Sequence, residues 1–239
     1  MENWTNSLVV AQDKMELISN KTFVLKELGF VKQIFDKNSA LQRCSKQSVI
    51  DALTNIARTG VSLNPALKLA HLIPRGNKCT LEFSYMGLIK MLKDNGSITH
   101  IEAHLVYEDE EFDYTNENIS HKKKFSKSEK EHNAREIIGA YSVATLPTKE
   151  KVYCFMPIWE LNKVKEFSKG GNIWKNWRDE MYKKSVIKRH FKTLLGASEY
   201  AKEQALASII QLEQENHPIK STRESLLNDN LLEEFNDIS

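Results

Sequence analysis

The chain has 239 residues, 41% hydrophobic and 28% charged, with a formal net charge of +2. That is apolar material for one large domain, or one domain with an appendage. No stretch approaches the roughly 18 apolar residues of a membrane span. The start, MENWTNSLVVAQDKMEL, lacks the basic opening and apolar run of a signal peptide. Cys44, Cys79 and Cys154 are odd in number and widely spaced, with no CxxC or Cys/His cluster. They read as reduced thiols of a cytosolic protein and argue against structural zinc.

Charge is unevenly spread. Residues 199–239 carry −6, so residues 1–198 carry +8. A basic body with an acidic tail is frequent among nucleic-acid binders without being diagnostic.

In chain order, residues 3–58 read as helical. Leu17, Phe23, Val24, Leu28, Val31, Ile34 and Phe35 give a helical period that breaks near Gly29. Ser48 to Arg58 is a firmer helix burying Val49, Ile50, Leu53 and Ile56, with Gly60 at its cap. Val61 to Pro65 is a tight connection. Leu69 to Ile73 and Cys79 to Ser84 read as strands of a hairpin turned at Pro74-Arg75-Gly76-Asn77. Tyr85 to Asn95 predicts a short helix with Leu88, Ile89 and Leu92 inward, ended by Gly96. Ile98 to Tyr107 alternates as a strand.

Glu108 to Arg135 is polar and charged, including Lys122-Lys123-Lys124, and reads as an extended hairpin arm with a mobile tip. Ile137 to Leu146 and Lys151 to Phe155 form a further hairpin turned at Pro147-Thr148. Pro157 opens a helix to about Phe167. Residues 168–172 are a flexible link, and Gly196 closes the helix that follows. Ser198 caps a last helix to about Glu215, and an irregular leucine-bearing tail ends the chain. Helices, hairpin, helix, strand, hairpin and helices predict an α+β fold. Its antiparallel β-sheet is built from hairpins and packed with helices, with helical N- and C-terminal extensions.

The stretch with the clearest chemistry is Trp174 to Leu195, WKNWRDEMYKKSVIKRHFKTLL, read as one helix. Turning about 100° per residue, it places Trp177, Met181, Ile187, Phe191, Leu194 and Leu195 on one apolar arc. Arg178, Ser185, Lys188, Arg189 and Lys192 gather beside that arc, with Lys184 one turn from Lys188. Only Asp179 and Glu180 oppose these cations. Such a helix can dock on a core and present phosphate-binding charge. The plain alternative is a solvated charged face. Trp174 and Trp177 offer rings for base stacking, although Trp177 shares the apolar arc and reads as core.

Two smaller constellations stand beside it. Arg75 and Lys78 flank the exposed backbone of Gly76, a phosphate-holding turn or an ordinary charged one. Tyr85, at a strand-to-helix junction, is a stacking ring or half-buried packing. Glu108, Asp109, Glu110, Glu111 and Asp113 are carboxylates that can hold Mg²⁺ for phosphoryl transfer. They are contiguous, however, whereas two-metal sites draw ligands from separated elements. There is no GxxxxGK[ST], HExxH or GxSxG, and the seven histidines form no ligand pair. No catalytic residue, metal or cofactor is predicted.

Gly60 to Lys90, GVSLNPALKLAHLIPRGNKCTLEFSYMGLIK, resembles the RecT family of phage recombinases. The family pattern is a G-[LV]-S-L-N-P turn, a strand ending in Pro before a G-N-K turn, and a second strand leading into Y-x-G-L-I. The likeness continues through LVYEDEEFDY (Leu105 to Tyr114), Gly139 to Ala144, and Met181 to Leu195, so it covers roughly residues 45–195. Met86 stands where the family often has Lys or Arg, and Arg75 where an aromatic is common.

The resemblance implies an ATP-independent single-strand annealing protein of homologous recombination. Such a protein binds single-stranded DNA in a basic groove and pairs it with its complement, while assembling as a ring or filament. The family-motif positions are Arg75, Lys78, Tyr85, Lys183, Lys184, Lys188 and Arg189. Trp174, Lys175, Arg178 and Lys192 complete the expected DNA-binding set. Implied partners are single-stranded DNA and the annealed duplex, further copies of the chain, a 5′→3′ exonuclease and a host single-strand binding protein. The implied location is the bacterial cytoplasm. The expected organisation is a helical region of subunit contacts (1–58), an annealing core (59–198) and an acidic helical tail (199–239). The competing readings are a passive single-strand binding module and a nuclease using the Glu108–Asp113 carboxylates.

Overall fold

A computed structural model describes residues 4–115, 118–167 and 171–197. The expected last helix and acidic tail lie outside these residues, as do the tip of the arm at 116–117 and residues 168–170 of the expected link.

Four helices come first: α1 (Trp4–Glu16), α2 (Lys21–Asp36), α3 (Ser39–Gln42) and α4 (Lys46–Thr59). The side chains of Asn20, Asn38 and Ser45 cap the last three by accepting first-turn N–H groups. Gly29 does not interrupt its helix, because α2 runs through it. One mid-helix glycine costs only about 1 kcal/mol, and the buried row Val24, Val31 and Phe35 outweighs that. Leu17, counted in the same period, falls between the helices and is exposed. Gly60 ends α4 in the left-handed conformation, φ 64°.

Strands β1 (Ala70–Arg75) and β2 (Lys78–Phe83) pair antiparallel from Ala70↔Phe83 to Arg75↔Lys78. Ser84 caps α5 (Tyr85–Asp94), accepting from the Gly87 N–H. The main sheet has the order β3-β6-β7, formed by β3 (His100–Tyr107), β6 (Ile137–Thr145) and β7 (Lys151–Pro157), all antiparallel. Between β3 and β6 the chain makes the arm. It consists of the hairpin β4 (Glu111–Thr115) and β5 (Asn118–Lys122), then α6 (Glu129–Ala134), a helix absent from the sequence expectation. Next come α7 (Ile158–Glu166), α8 (Gly171–Asn176) and α9 (Arg178–Ala197). The fold is α+β with antiparallel sheets, as predicted.

Two expectations near α9 need correction. The expected single helix from Trp174 is broken at Trp177, so α8 and α9 are separate; Gly171 and Asn172 belong to α8 rather than to a link. α9 is described to Ala197, one residue past Gly196, where the expected end of the helix meets the limit of the described residues.

The three-stranded sheet is covered on both faces. Alternation puts Ala140, Ser142 and Ala144 of β6 on one side and Tyr141 on the other. α9 packs on the first side, where Ser142 hydrogen-bonds His190. The arm packs on the second. There Phe112 lies 5.9 Å from Tyr141 and 5.1 Å from Phe155 between ring centroids, and His121 lies 5.6 Å from Tyr141.

Two apolar clusters form the core. The larger joins α1, α2, α4, β1, β2 and α5 to Ile187, Phe191 and Leu194 of α9. The smaller joins Leu105, Ile137, Met156, Leu161 and Trp174 to Tyr182 and Val186. α9 therefore contributes to both.

Candidate nucleic-acid interface

α9 is amphipathic in the sense expected, with a shifted apolar face. Tyr182, Val186, Ile187, His190, Phe191 and Leu194 are buried, and Met181 is half-buried. The break after α8 exchanges the two tryptophans. Trp174, expected among the DNA-binding residues, is 2% exposed and packs edge-on against Tyr182 at 5.5 Å. Trp177, expected in the core, is 65% exposed. The ring available to a base is therefore Trp177 rather than Trp174.

The remaining predicted cations of this region line the surface. Lys175 and Arg189 are exposed, while Arg178, Lys183, Lys184, Lys188 and Lys192 are half-buried. Half-burial suits long cationic side chains, whose stems cover apolar surface while their heads reach water. Arg189 pairs with Glu160 of α7, and Lys183 Nζ donates to Glu180 at 2.9 Å. Partly exposed pairs of this kind contribute little to stability, so a phosphate can replace the carboxylate at small cost.

Asp179 opens α9 and ties it to the arm. It accepts from Arg178 Nε at 3.1 Å and lies 2.7 Å from His132 Nε2 of α6. Burial alone would raise its pKa, but the hydrogen bonds to His132 and Arg178 prevail and lower it.

Arg75 and Lys78 occupy the tip of the β1–β2 hairpin, at the end of that hairpin away from α5. The tip is fastened to the start of α4. Ser45 N donates to the Asn77 carbonyl at 2.6 Å, and Cys79 N donates to Ser48 Oγ at 2.9 Å. Arg75 Nε donates to Glu82 across the hairpin at 3.0 Å, and Lys78 is exposed. Tyr85 is half-buried and packs on the larger core, in line with the plainer of its two readings. α9 packs against α5 and the three-stranded sheet, at the other end of the hairpin from the Arg75 turn. The structure thus gathers the predicted cations of residues 175–192 and leaves the Arg75–Lys78 turn as a separate patch.

The acidic run is spent on holding the arm. Glu110 and His121, each with a 2% exposed side chain, pair at 2.9 Å. Glu110 also pairs with Arg135 at 2.8 Å and accepts from the Lys124 and Tyr107 N–H groups at 2.8 and 3.1 Å. Burial pushes the Glu110 carboxyl up, yet these donors together hold it down at about 2. Asp109 pairs with Arg135, Glu111 with Lys122, and Asp113 accepts from Thr115. Among the described residues no group of three His, Cys, Asp or Glu side chains converges as a metal site.

Arg135 is the residue that sequence reading missed. Besides its carboxylate pairs, its guanidinium lies 3.9 Å from the Tyr107 ring centroid. Only the alternation of Phe112 with Tyr114 and of Ile119 with His121 hinted that this polar stretch folds back on a sheet.

The geometry defines an α+β protein in which a basic helix crosses one face of an antiparallel sheet and a lysine-bearing arm covers the other. The family model described as the RecT family matches residues 21–220, which take in the sheet, the arm and α9. The chain belongs to the RecT family. It is similar to Protein RecT of Escherichia coli (strain K12), at 29% identity over 171 residues, or 66% of this chain. The match spans 61% of that relative's length.

Proposed function

We propose that the protein anneals single-stranded DNA in homologous recombination. The observation that carries this reading is the family match over residues 21–220. The lysines and arginines along α9 support it, because they neutralise successive phosphates of one strand. A strand clamped by its backbone keeps its base edges free to test a partner. Each correct stacked step contributes about 1.4 kcal/mol, so matched runs lock and mismatches dissociate. No nucleotide hydrolysis is required, in keeping with a sequence that has no P-loop. The protein is accordingly a binding protein and not an enzyme.

Annealing of this kind is cooperative when copies assemble along the strand. Residues 1–58 supply subunit contacts, residues 59–198 the annealing core, and the acidic segment 199–239 contacts a partner or shields the groove. A 5′→3′ exonuclease that exposes the strand and a host single-strand binding protein are the fitting partners in the bacterial cytoplasm. No described helix is long and apolar enough to cross a membrane.

The test is pairing of two fluorophore-labelled complementary oligonucleotides, added in turn without nucleotide at several salt concentrations. Rapid pairing into a protein-bound product is expected. Tight binding of the first strand with pairing blocked identifies a passive coating protein instead. Shortening of labelled DNA with Mg²⁺ identifies a nuclease.

A further inference from the structure

The cleft between the arm and the first turns of α9 holds a ring whose position needs a reason. Phe125, in the segment joining β5 to α6, is 88% exposed. It is not on a slack loop. On one side, Lys124 N donates to Glu110 Oε1 at 2.8 Å, and Arg135 Nη1 donates to the Lys124 carbonyl at 3.2 Å. On the other, Arg135 Nη1 reaches Ser126 Oγ at 3.4 Å, and Lys127 N donates to Glu131 Oε2 at 2.7 Å. Ser128 then caps α6. A frame hydrogen-bonded on both flanks keeps a phenyl ring in water, although burial would be favourable.

The ring borders an open cavity of about 440 Å³, lined by Lys123 and Lys124 from the arm, His104 from β3 and Lys183 from α9. Glu110, Glu129 and Asp179 also line it, Glu110 being paired with Arg135 and His121, and Asp179 with Arg178 and His132. Lys123 Nζ donates to His104 Nδ1 at 2.8 Å. Burial, and then the Lys123 charge, lower the His104 pKa and favour the neutral imidazole. That bond leaves the ammonium charge uncancelled. Cations from two separate elements and one exposed aromatic thus face a single space. This is the combination that takes a phosphate with its adjoining base.

We propose that this cleft is the second wall of the DNA groove. A phosphate of single-stranded DNA lies between Lys123 and Lys183, and the neighbouring base stacks on Phe125. The proposal rests on the reading of the protein as a single-strand binder. It adds a contact that is not electrostatic and places it on the arm.

Stacking and charge separate by salt. Binding of labelled oligothymidylate, and of an abasic strand of equal length, is measured by fluorescence anisotropy over a salt series. The proteins compared are the wild type, Phe125→Ala, and Lys123→Ala with Lys183→Ala. Phe125→Ala is expected to bind oligothymidylate about tenfold more weakly, ~1.4 kcal/mol, at every salt concentration with an unchanged slope. It should bind the abasic strand as the wild type does. The double lysine variant should lower the log–log salt slope by about 0.7, the one phosphate held between the two lysines. Wild-type affinity of Phe125→Ala for oligothymidylate, or an equal loss on the abasic strand, overturns the proposal while leaving single-strand binding intact. Failure of the wild-type protein to bind either strand overturns both. Phe125→Trp supplies a second readout: quenching of the added indole by oligothymidylate and not by the abasic strand.

Discussion

His190 of α9 and Ser142 of β6 share a 2.7 Å hydrogen bond at a point where neither residue touches solvent. It is a polar contact between the basic helix and the sheet beneath it. Burial pushes the imidazole pKa down from 6.5 to about 4. A base whose folded pKa lies below its unfolded value binds protons more readily when unfolded. Stability is therefore undiminished above pH 6.5 and falls as pH drops from there towards 4, by a total on the order of 3 kcal/mol. Urea unfolding of the wild type and His190→Gln between pH 7 and 4 checks this. The variant should lose the part of the decline between pH 6.5 and 4.

Glu27 is buried in α2, and its carboxylate accepts from Ser62 Oγ and from the Leu63 N–H, each at 2.6 Å. Those two donors belong to the Ser62-Leu63-Asn64-Pro65 connection. Glu27→Ala leaves the Leu63 N–H without its acceptor and should cost about 2–3 kcal/mol, read as a lower urea midpoint. A change below about 0.5 kcal/mol, the usual scatter for surface substitutions, would show that water replaces the carboxylate freely.

Gly87 and Gly60 answer differently to alanine. A Cβ at Gly87 would overlap the Leu69 carbonyl oxygen, which is backbone and cannot step aside cheaply. Gly87→Ala should destabilise by more than about 2 kcal/mol and separate α5 from the start of β1. At Gly60 there is open space, and the only cost is the left-handed φ of 64°. Gly60→Ala should lose about 1 kcal/mol. Thermal midpoints of the two variants in one buffer decide the order.

Much of the architecture was legible because the signals were local. Gly60, Gly76 and Gly96 punctuate elements at the places where turn and cap chemistry requires, each with a positive φ. The tryptophans were misplaced because periodicity assumes an unbroken helix. One non-helical residue at Trp177 rotates everything before it, sending Trp174 inward to Tyr182. The arm was legible as a hairpin, but its anchoring was not, for another reason. Its stability comes from Glu110 meeting His121 and Arg135, contacts separated by 11 and 25 positions, and a polar stretch shows no apolar period to announce them. Of the candidate interface, the charge on α9 and the lysine run of the arm could be read, and the cleft that brings Lys123 and Lys183 together could not.

Glu110 is the hub of the arm. A carboxyl held near 2 adds stability that is fully present above its unfolded value of 4.5 and is lost as pH falls towards 2. Glu110→Gln keeps the shape and removes the charge that Arg135 and His121 face. Hydrogen exchange across residues 108–135 should quicken roughly tenfold, about 1.4 kcal/mol, while α4 stays protected. Equal exchange in both proteins would mean that Asp109 alone retains Arg135.

Replacing Lys184 and Lys188 together by alanine should weaken binding to single-stranded DNA and flatten its salt slope by about 1.4, two phosphates at roughly 0.7 each. Anisotropy titrations at several salt concentrations provide the check. An unchanged slope in a folded variant would turn the basic stripe of α9 away from the DNA.

α9 is the element shared by both apolar clusters, and it is made late. Strand β3 ends at Tyr107, and α9 is not complete until Ala197. At about 5–20 residues per second of synthesis, β3 waits on the order of 5–18 s for that helix. Over the later part of that interval, once β6 has been made, the sheet face bearing Ala140 and Ala144 has no cover, and both clusters lack their α9 residues. A nascent chain paused before residue 178 is therefore the form most exposed to aggregation and most in need of a chaperone.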